Sequence, residues 1–167
     1  MVLTKEELIA SLQNEVRILL HLAGKIDRAQ LDYRPSPKQR STIEWLQYLS
    51  VMGPGLIPFI RTGAFDGAAW QAALSAASGA NFDQVLSALE KLSCAYAELL
   101  QGWSEDEFRG GIEMLGRKVS RGSFIVNLVL CAHAAYRTQL FLYLKACGRD
   151  ELNTMNLWAG VDAPTPG

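Results

Sequence analysis

The chain has 167 residues, of which 49% are hydrophobic and 20% are charged, a composition typical of one globular domain and not of a disordered segment. Its Lys and Arg residues number 16 and its Asp and Glu residues 17, which leaves a net charge of −1. Because binding to nucleic acid or to an anionic membrane needs a strongly basic surface, we expect neither kind of partner.

The first predicted helix begins at a capping box formed by Thr4 and Glu7, in which each side chain bonds the backbone N–H of the other residue. Apolar residues then recur every three or four positions, as on one face of a helix. They are Leu8, Leu12, Val16, Leu19, Leu20 and Ala23. We expect this helix to end at Gly24 or within 27–30.

The second predicted helix follows an extended connector, 31–40, which contains two prolines. It begins at another capping box, Ser41 and Glu44. Pro54 and Pro58, with the glycines that flank the first of them, predict that the helix breaks there. The stretch that follows is rich in small residues, and only 67–77 favours a further helix.

The third long helix is predicted to begin at the cap Asn81 and to stop at Gly102, with one short turn capped by Ser104 after it. Residues 109–121 contain three glycines and show no sustained period, which predicts an irregular or hairpin-like connection.

The last predicted helix begins near Ser120 or Ser123 and runs to Cys147, so that it would be about 40 Å long. Gly148 is the expected residue after its end. The tail 153–167 is expected to pack only in part. Taken together, the pattern predicts a single all-α domain over 1–167, an up-and-down four-helix bundle with an irregular connection before the long last helix.

The three cysteines, Cys94, Cys131 and Cys147, lie far apart within helical patterns. Their odd number and the absence of a C-x-x-C spacing favour small apolar core residues in a reducing compartment over a disulfide, a zinc site or a nucleophile. The first residues reach two glutamates at once, unlike a signal peptide. We therefore expect a cytoplasmic protein.

The last helix is apolar on nearly every side, so one bundle cannot cover it completely. A second copy of the chain would cover the remaining face, which predicts a homodimer. The alternative is that the tail around Trp158 covers this face within one chain.

His133 and Arg137 lie about 40° apart on this apolar helix, one turn from each other. Buried polar groups need partners. Either the pair lines a pocket and binds an anionic ligand, or Arg137 pairs with a core carboxylate such as Glu44 while His133 bonds a backbone carbonyl. His21, the other histidine, falls on a polar face and is predicted to be solvated.

The order of these helices, and the stretch Ala132-His133-Ala134-Ala135-Tyr136-Arg137-Thr138-Gln139-Leu140 followed by Tyr143-Leu144 and Gly148, resemble the DinB-like superfamily of metalloenzymes. The resemblance covers nearly the whole chain and implies a four-helix bundle, often dimeric. It also implies a divalent nickel or zinc ion held by one histidine of the second helix and two of the last. Members with known activity transfer or isomerise substrates with low-molecular-weight thiols.

The resemblance fails at the ligands. If Arg137 and Gln139 match the family's arginine and glutamine, the ligand positions of the last helix are Ala132 and Tyr136, and that of the second helix is at or near Tyr48. His133 is one position out of register. We therefore expect no metal and no cofactor.

The candidate pocket thus comprises Glu44, Tyr48, His133, Tyr136 and Arg137. The tyrosines could fill the old cavity or bind a small polar ligand. One hypothesis is a dimeric ligand-binding or scaffold protein with a degenerate metal site. The other is an enzyme with an altered site, either a thiol-dependent transferase or isomerase or a hydrolase.

Overall fold

The computed structural model describes residues 3–163. It contains six helices and one hairpin, namely α1 (Lys5–Ala23), α2 (Thr42–Thr62), α3 (Gly67–Ser78), α4 (Phe82–Gln101), α5 (Glu105–Arg109), β1 (Gly111–Met114), β2 (Arg117–Ser120) and α6 (Arg121–Ala146). Short helical turns at Arg28–Gln30 and Met155–Ala159 complete it.

Four of these helices form a bundle, as the sequence predicted. α1 packs against α4 and α6, and α2 packs against the same two helices. The first and second helices are therefore on opposite corners, joined by the long connector 24–41 across one end. This neighbour order corrects the expectation of a simple up-and-down bundle, in which consecutive helices would lie side by side.

The core is built from the apolar faces of the four long helices. Its fully covered members include Leu8, Leu12, Leu22, Leu46, Ile60, Leu89, Tyr96, Leu100, Ile125 and Val129. The predicted stripe of α1 is among the core and near-core residues throughout. Hydrophobic periodicity therefore predicted correctly which faces point inward.

The predicted caps are confirmed. Thr4, Ser41 and Ser104 each accept a hydrogen bond from the backbone N–H three residues later, and the glutamates at those positions complete capping boxes. Asn81 caps α4 in the same way, with Gln84 as its reciprocal partner. These local bonds satisfy backbone donors that have no partner within the helix.

The predicted break in α2 is wrong, because the helix continues through Pro54 and Pro58 to Thr62. The two prolines are four residues apart and therefore lie on one face, so the two missing N–H donors affect only that face. Gly53 is buried and serves close packing instead of a turn. The actual end is at Gly63, whose φ of 78° suits glycine.

The predicted helix at 67–77 is confirmed by α3, which packs against α2 and has no fully buried residue. The connection before α6 is hairpin-like, as expected. β1 and β2 pair antiparallel from Gly111 opposite Ser120 to Met114 opposite Arg117. Leu115 and Gly116 form the two-residue turn, both with positive φ, as in hairpin turns that match the strand twist.

α6 is one continuous helix of 26 residues with a π-helical stretch at Val126–Leu130. The π stretch shifts the helical register. Phe124, just before this stretch, is buried with a relative exposure of 2%. By length and composition α6 could cross a membrane, and only 28% of its most apolar window is buried.

The tail packs in part, as predicted for 153–167, although 164–167 lie outside the described residues. The turn Met155–Ala159 contacts α1 and α6. Asn156 is buried, and its amide nitrogen lies 3.1 Å from His21 Nε2 and 2.9 Å from Asp162 Oδ1. The expectation of a solvated His21 is therefore wrong, because the tail covers it and leaves its side chain 17% exposed.

The cysteines are free thiols, but the predicted core positions are wrong. Cys94 and Cys131 are exposed, and Cys147 is half-buried at the end of α6. Cys94 lies two residues from the fully buried Tyr96 on α4. Positions two apart on a helix face different sides, so a helical stretch rich in apolar residues does not by itself place each of them inside.

Candidate functional site

Tyr48 of α2 and Tyr136 of α6 meet between their two helices. Their ring centroids are 5.6 Å apart with the planes at 82°, an edge-to-face contact. Trp45, one turn before Tyr48, lies 4.5 Å from the Tyr136 ring. The two tyrosines that the sequence singled out are therefore in contact, and the indole packs beside them.

Burial keeps the Tyr48 phenol protonated. Desolvation, followed by the influence of Tyr136, raises the pKa of Tyr48 to about 12, and the nearby Arg40 guanidinium opposes this effect. A phenol with this pKa is neutral at physiological pH and donates a hydrogen bond. It does not supply a phenolate.

Arg40 and Tyr143 hold this aromatic cluster from one side. The Arg40 guanidinium lies 4.3 Å from the Tyr48 ring centroid and 5.1 Å from that of Trp45, so it stacks as a cation over both. The Trp45 indole N–H donates to Tyr143 Oη at 3.1 Å. Tyr143 in turn donates to the Arg40 carbonyl at 3.0 Å.

A cavity of about 350 Å³ lies next to this cluster. Glu44, Gln47 and Tyr48 of α2 line one side together with Arg40 of the connector, and Leu74 lines the α3 side. Gln47 is buried, and its amide donates to the carbonyls of Ser78 and Ala80 at 3.2 and 2.9 Å. The cavity is therefore polar on one wall and of a size that suits a small organic molecule.

Glu44 has a structural role at the edge of this cavity. Its carboxylate accepts the Ser41 backbone N–H at 2.7 Å, and it lies 3.3 Å from Arg34 Nη2. The capping bond from Ser41 chiefly, with Arg34 beside it, lowers the pKa of Glu44. The predicted pairing of Glu44 with Arg137 is therefore wrong.

His133 is buried in α6, and its Nε2 is within hydrogen-bond distance of the Tyr96 hydroxyl of α4. This contact replaces the backbone carbonyl expected from the sequence. Desolvation lowers the pKa of His133 to about 4, so the imidazole is neutral at pH 7. Within the described residues, its Nδ1 has no hydrogen-bond partner.

Arg137 is buried one turn further along α6, and its partner is Glu15 of α1. Nε of Arg137 lies 3.0 Å from Oε2 of Glu15. Neither atom makes a hydrogen bond within the described part of the chain, so their contact is a pairing of charges without aligned geometry. Arg137 also donates to the Leu157 carbonyl, and its guanidinium lies 5.3 Å from the Trp158 ring centroid.

The five predicted pocket residues therefore have three different environments. Tyr48 and Tyr136 share the aromatic cluster, and Glu44 borders the cavity beside it. His133 contacts α4, and Arg137 contacts α1 and the tail. Arg137 anchors the tail by charge and stacking, and this role was missed at the sequence level.

The residues at the positions that the resemblance assigns to metal ligands do not fit a metal ion held by three histidines. Tyr48, Ala132 and Tyr136 supply two phenols and a methyl group, and His133 is bonded to Tyr96 instead. Throughout residues 3–163, no group of three or more His, Cys, Asp or Glu side chains could hold a metal ion. No metal chemistry follows from this donor set.

Solved structures share the architecture. A DinB-like protein from Bacillus subtilis, YjoA, matches with a TM-score of 0.66 and 17% identity over 87% of this chain and 94% of that one. The chain has the DinB-like fold. The mycothiol-dependent maleylpyruvate isomerase also matches, with a TM-score of 0.57 and 13% identity over 87% of this chain. This chain covers only 61% of the length of that isomerase.

No protein-family model and no curated protein sequence matches this chain. The evidence for the DinB-like fold is therefore structural. At these identities it concerns the arrangement of helices and carries no ligand or activity with it.

Sequence reasoning missed three residues of this region. Arg40 was part of a connector, and no role was predicted for Tyr96. Glu15 lies beside the apolar stripe of α1, between Leu12 and Val16, and an acidic residue there is the one signal that could have identified the partner of Arg137.

Proposed function

We propose that this DinB-like chain is a small-molecule-binding protein in which an aromatic cluster stands where relatives hold a metal. The contact between Tyr48 and Tyr136 carries the proposal. Both tyrosines are at positions that the resemblance assigns to histidine ligands. A phenol is a poor ligand for nickel or zinc but a good hydrogen-bond donor, and burial keeps the phenol of Tyr48 protonated.

The ligand site of this proposal is the cavity beside Tyr48. Arg40 stacks on Tyr48 and Trp45, and among residues 3–163 no carboxylate lies within ion-pair distance of it. Glu44, the carboxylate at the same cavity, is engaged by Ser41 and Arg34. Arg40 is thus the charged group available to a ligand, and it favours a small planar molecule with a carboxylate.

The metal half of the proposal is tested by restoring histidines. The purified protein, incubated with zinc or nickel and dialysed, is expected to retain less than about 0.1 equivalent by elemental analysis. The triple variant Tyr48→His, Ala132→His, Tyr136→His is expected to retain about one equivalent, because 132 and 136 share one helical face opposite position 48.

A matched control is the variant Tyr48→Phe, Tyr136→Phe, which removes both hydroxyls and adds no ligand. Near-stoichiometric metal in the unaltered protein would overturn the proposal. Failure of the folded triple variant to bind metal would show that these positions do not correspond to the ligand positions of the family.

The ligand half is tested with benzoate and its neutral analogue benzamide, followed by the chemical shifts of backbone amides. We expect benzoate to shift residues around Tyr48, and Arg40→Gln to weaken its binding about ten-fold, as loss of a charge-assisted hydrogen bond requires. Equal binding of both compounds would contradict the role of Arg40.

A second candidate is a thiol-dependent isomerase, favoured by the structural likeness to the mycothiol-dependent maleylpyruvate isomerase. It is tested by adding mycothiol and maleylpyruvate to the protein and following the loss of maleylpyruvate. Turnover that Tyr136→Phe abolishes would favour this enzyme over a binding protein.

We also propose that the chain is a homodimer through α6. The exposed positions of this helix run along one side and carry no charge: Asn127, Cys131, Ala135, Thr138, Leu142 and Ala146. Leu142 is 58% exposed. An uncharged face of this length suits a self-complementary helix pair.

The dimer is tested by light scattering on Leu142→Lys, with Leu115→Lys as the control because Leu115 is exposed on the hairpin, away from α6. We expect the first variant to be monomeric and the second to remain dimeric. A monomeric unaltered protein would contradict the dimer. If that monomer sediments with lipid vesicles, the face of α6 would be a membrane surface.

A further inference from the structure

A second cavity, of about 500 Å³, lies between α2 and α3. It is separate from the cavity beside Tyr48: the Trp70 ring, 6.3 Å from the Tyr48 ring, lines only the second one. Phe59 and Phe65 join Trp70 in its wall, with centroid distances of 5.2 Å from Phe59 to Phe65 and 6.0 Å from Phe65 to Trp70.

The Trp70 ring in this wall packs directly against the backbone of α2 at Gly55. The position of a Cβ on Gly55 would be 2.7 Å from two carbon atoms of the Trp70 ring, so only glycine allows Trp70 to pack against α2 there. Trp70 is half-buried and Phe65 is 50% exposed. The aromatic surface is therefore held by α2 and still open to a ligand.

The polar groups of this cavity accept hydrogen bonds. Ser50 and Pro54 line it. In a regular α-helix their carbonyls would accept hydrogen bonds from the N–H groups of residues 54 and 58. Both of those residues are prolines and have no N–H. The Ser50 hydroxyl donates its proton to the Gln47 carbonyl at 2.7 Å.

Asp66 adds a negative charge. Among the described residues that line this cavity, Asp66 is the only ionisable one. One oxygen of its carboxylate caps α3 by accepting the Ala69 N–H at 2.9 Å. The helix N-terminus contributes about half a positive charge, so the carboxylate leaves the mouth of the cavity net negative.

We propose that this cavity binds a small aromatic amine in its protonated form. The aromatic ring would pack against Phe59, Phe65 and Trp70, and the ammonium would lie near Asp66. Aromatic faces and a carboxylate both attract a cation. With no basic residue in the described wall, a carboxylate ligand finds no partner.

The test compares three probes of one shape: 2-phenylethylamine, 2-phenylethanol and 3-phenylpropionate. Binding to the full chain is followed by the chemical shifts of backbone amides. We expect the amine to bind at least about five-fold more tightly than the alcohol, as an exposed ion pair with a cation–π contact allows. The carboxylate is expected to bind most weakly.

Two variants locate the site. Asp66→Asn keeps an N-cap residue, so α3 is retained while the charge is lost, and the preference for the amine should fall below about two-fold. Asp32→Asn, which removes an exposed charge on the connector, is the control. Ala73→Phe fills the cavity and should abolish binding, whereas Ala76→Phe, exposed on the same helix, should not.

Several results would overturn the proposal: equal binding of amine and alcohol, tighter binding of the carboxylate, no binding of any probe, or the same loss in both aspartate variants. None of these results depends on the cavity beside Tyr48, whose own test uses benzoate and Arg40.

Discussion

Gly53 of α2 lies directly beneath the phenol of Tyr96 in α4. A Cβ on Gly53 would overlap the Tyr96 hydroxyl and the two adjoining ring carbons. Tyr96 is completely buried and also contacts His133. This glycine therefore sets how closely α2 and α4 approach, and with it the position of the buried tyrosine.

Gly53→Ala is expected to destabilise the protein by about 1–3 kcal/mol or more, because the added methyl group forces a shift in a packed core. Urea unfolding measures the effect. Gly102→Ala is the control, since no atom of residues 3–163 lies within 4 Å of a Cβ there. Adding Tyr96→Leu should cost less in the Gly53→Ala background than alone, and strict additivity would argue against the clash.

The free energy of unfolding is expected to depend on pH through His133. Its pKa is about 4 in the folded protein against an ordinary value of 6.5, so between these values the unfolded chain binds more protons. The free energy of unfolding is therefore highest above about pH 6.5. As the pH drops to about 4, it falls by about 3 kcal/mol in all because of His133.

The measurement is urea unfolding from pH 4 to pH 7 for the unaltered chain and His133→Gln. The variant should lose most of this slope, while His21→Gln, at a less buried histidine, should keep most of it. An unchanged slope in His133→Gln would assign the pH dependence to other groups.

Replacing only one member of the pair formed by Glu15 and Arg137 is expected to lower the free energy of unfolding strongly. Replacing both members together is expected to lower it less. Arg137→Met or Glu15→Gln alone should destabilise by about 3–5 kcal/mol, because each leaves a buried charge without its partner. The double variant should cost less than the sum, and a double-mutant cycle checks this.

Arg137→Met should also release the tail, because it removes the contacts with Leu157 and Trp158. Limited proteolysis after residue 152 should then be faster than in Glu15→Gln, where those contacts are retained. Equal cleavage of the two variants would show that the tail does not depend on Arg137.

The thiols are expected to react at different rates with Ellman's reagent. Cys94 is exposed and should react quickly, whereas burial raises the pKa of Cys147 and should slow it. Cys131 is exposed in one chain, so slow reaction that becomes fast in Leu142→Lys would indicate that a partner copy covers it. Single Cys→Ser variants assign each rate.

Sequence reasoning predicted the features of the fold that depend on near neighbours. Thr4, Ser41 and Asn81 cap their helices through bonds that reach only three residues ahead, so the sequence contains both partners. The apolar stripe of α1 was predicted in the same way, from position on a helix. That Tyr48 and Tyr136 could lie together followed from the resemblance, and whether they fill the cavity or bind a ligand was left open.

The features that sequence reasoning missed depend on contacts with residues of other helices. The sequence predicted a helix break at Gly53 and Pro54. The groups that pack against this part of α2, Tyr96 and α3, are not adjacent to it in the chain, so the pattern gave no sign of them. A carboxylate partner for Arg137 was one of the two alternatives that the sequence left open, and Glu15 could not be distinguished from Glu44 until α1 was known to lie beside α6.

The π-helical stretch at Val126–Leu130 determines how α6 would respond to the deletion of one residue. Such a stretch is a helix carrying one surplus residue, so losing that residue would restore regular α-helix and leave the chain continuous. The two halves of α6 would then turn relative to each other by about 100°. A one-residue deletion could therefore exchange which side chains of the last helix face the bundle interior, in a single step and without any substitution.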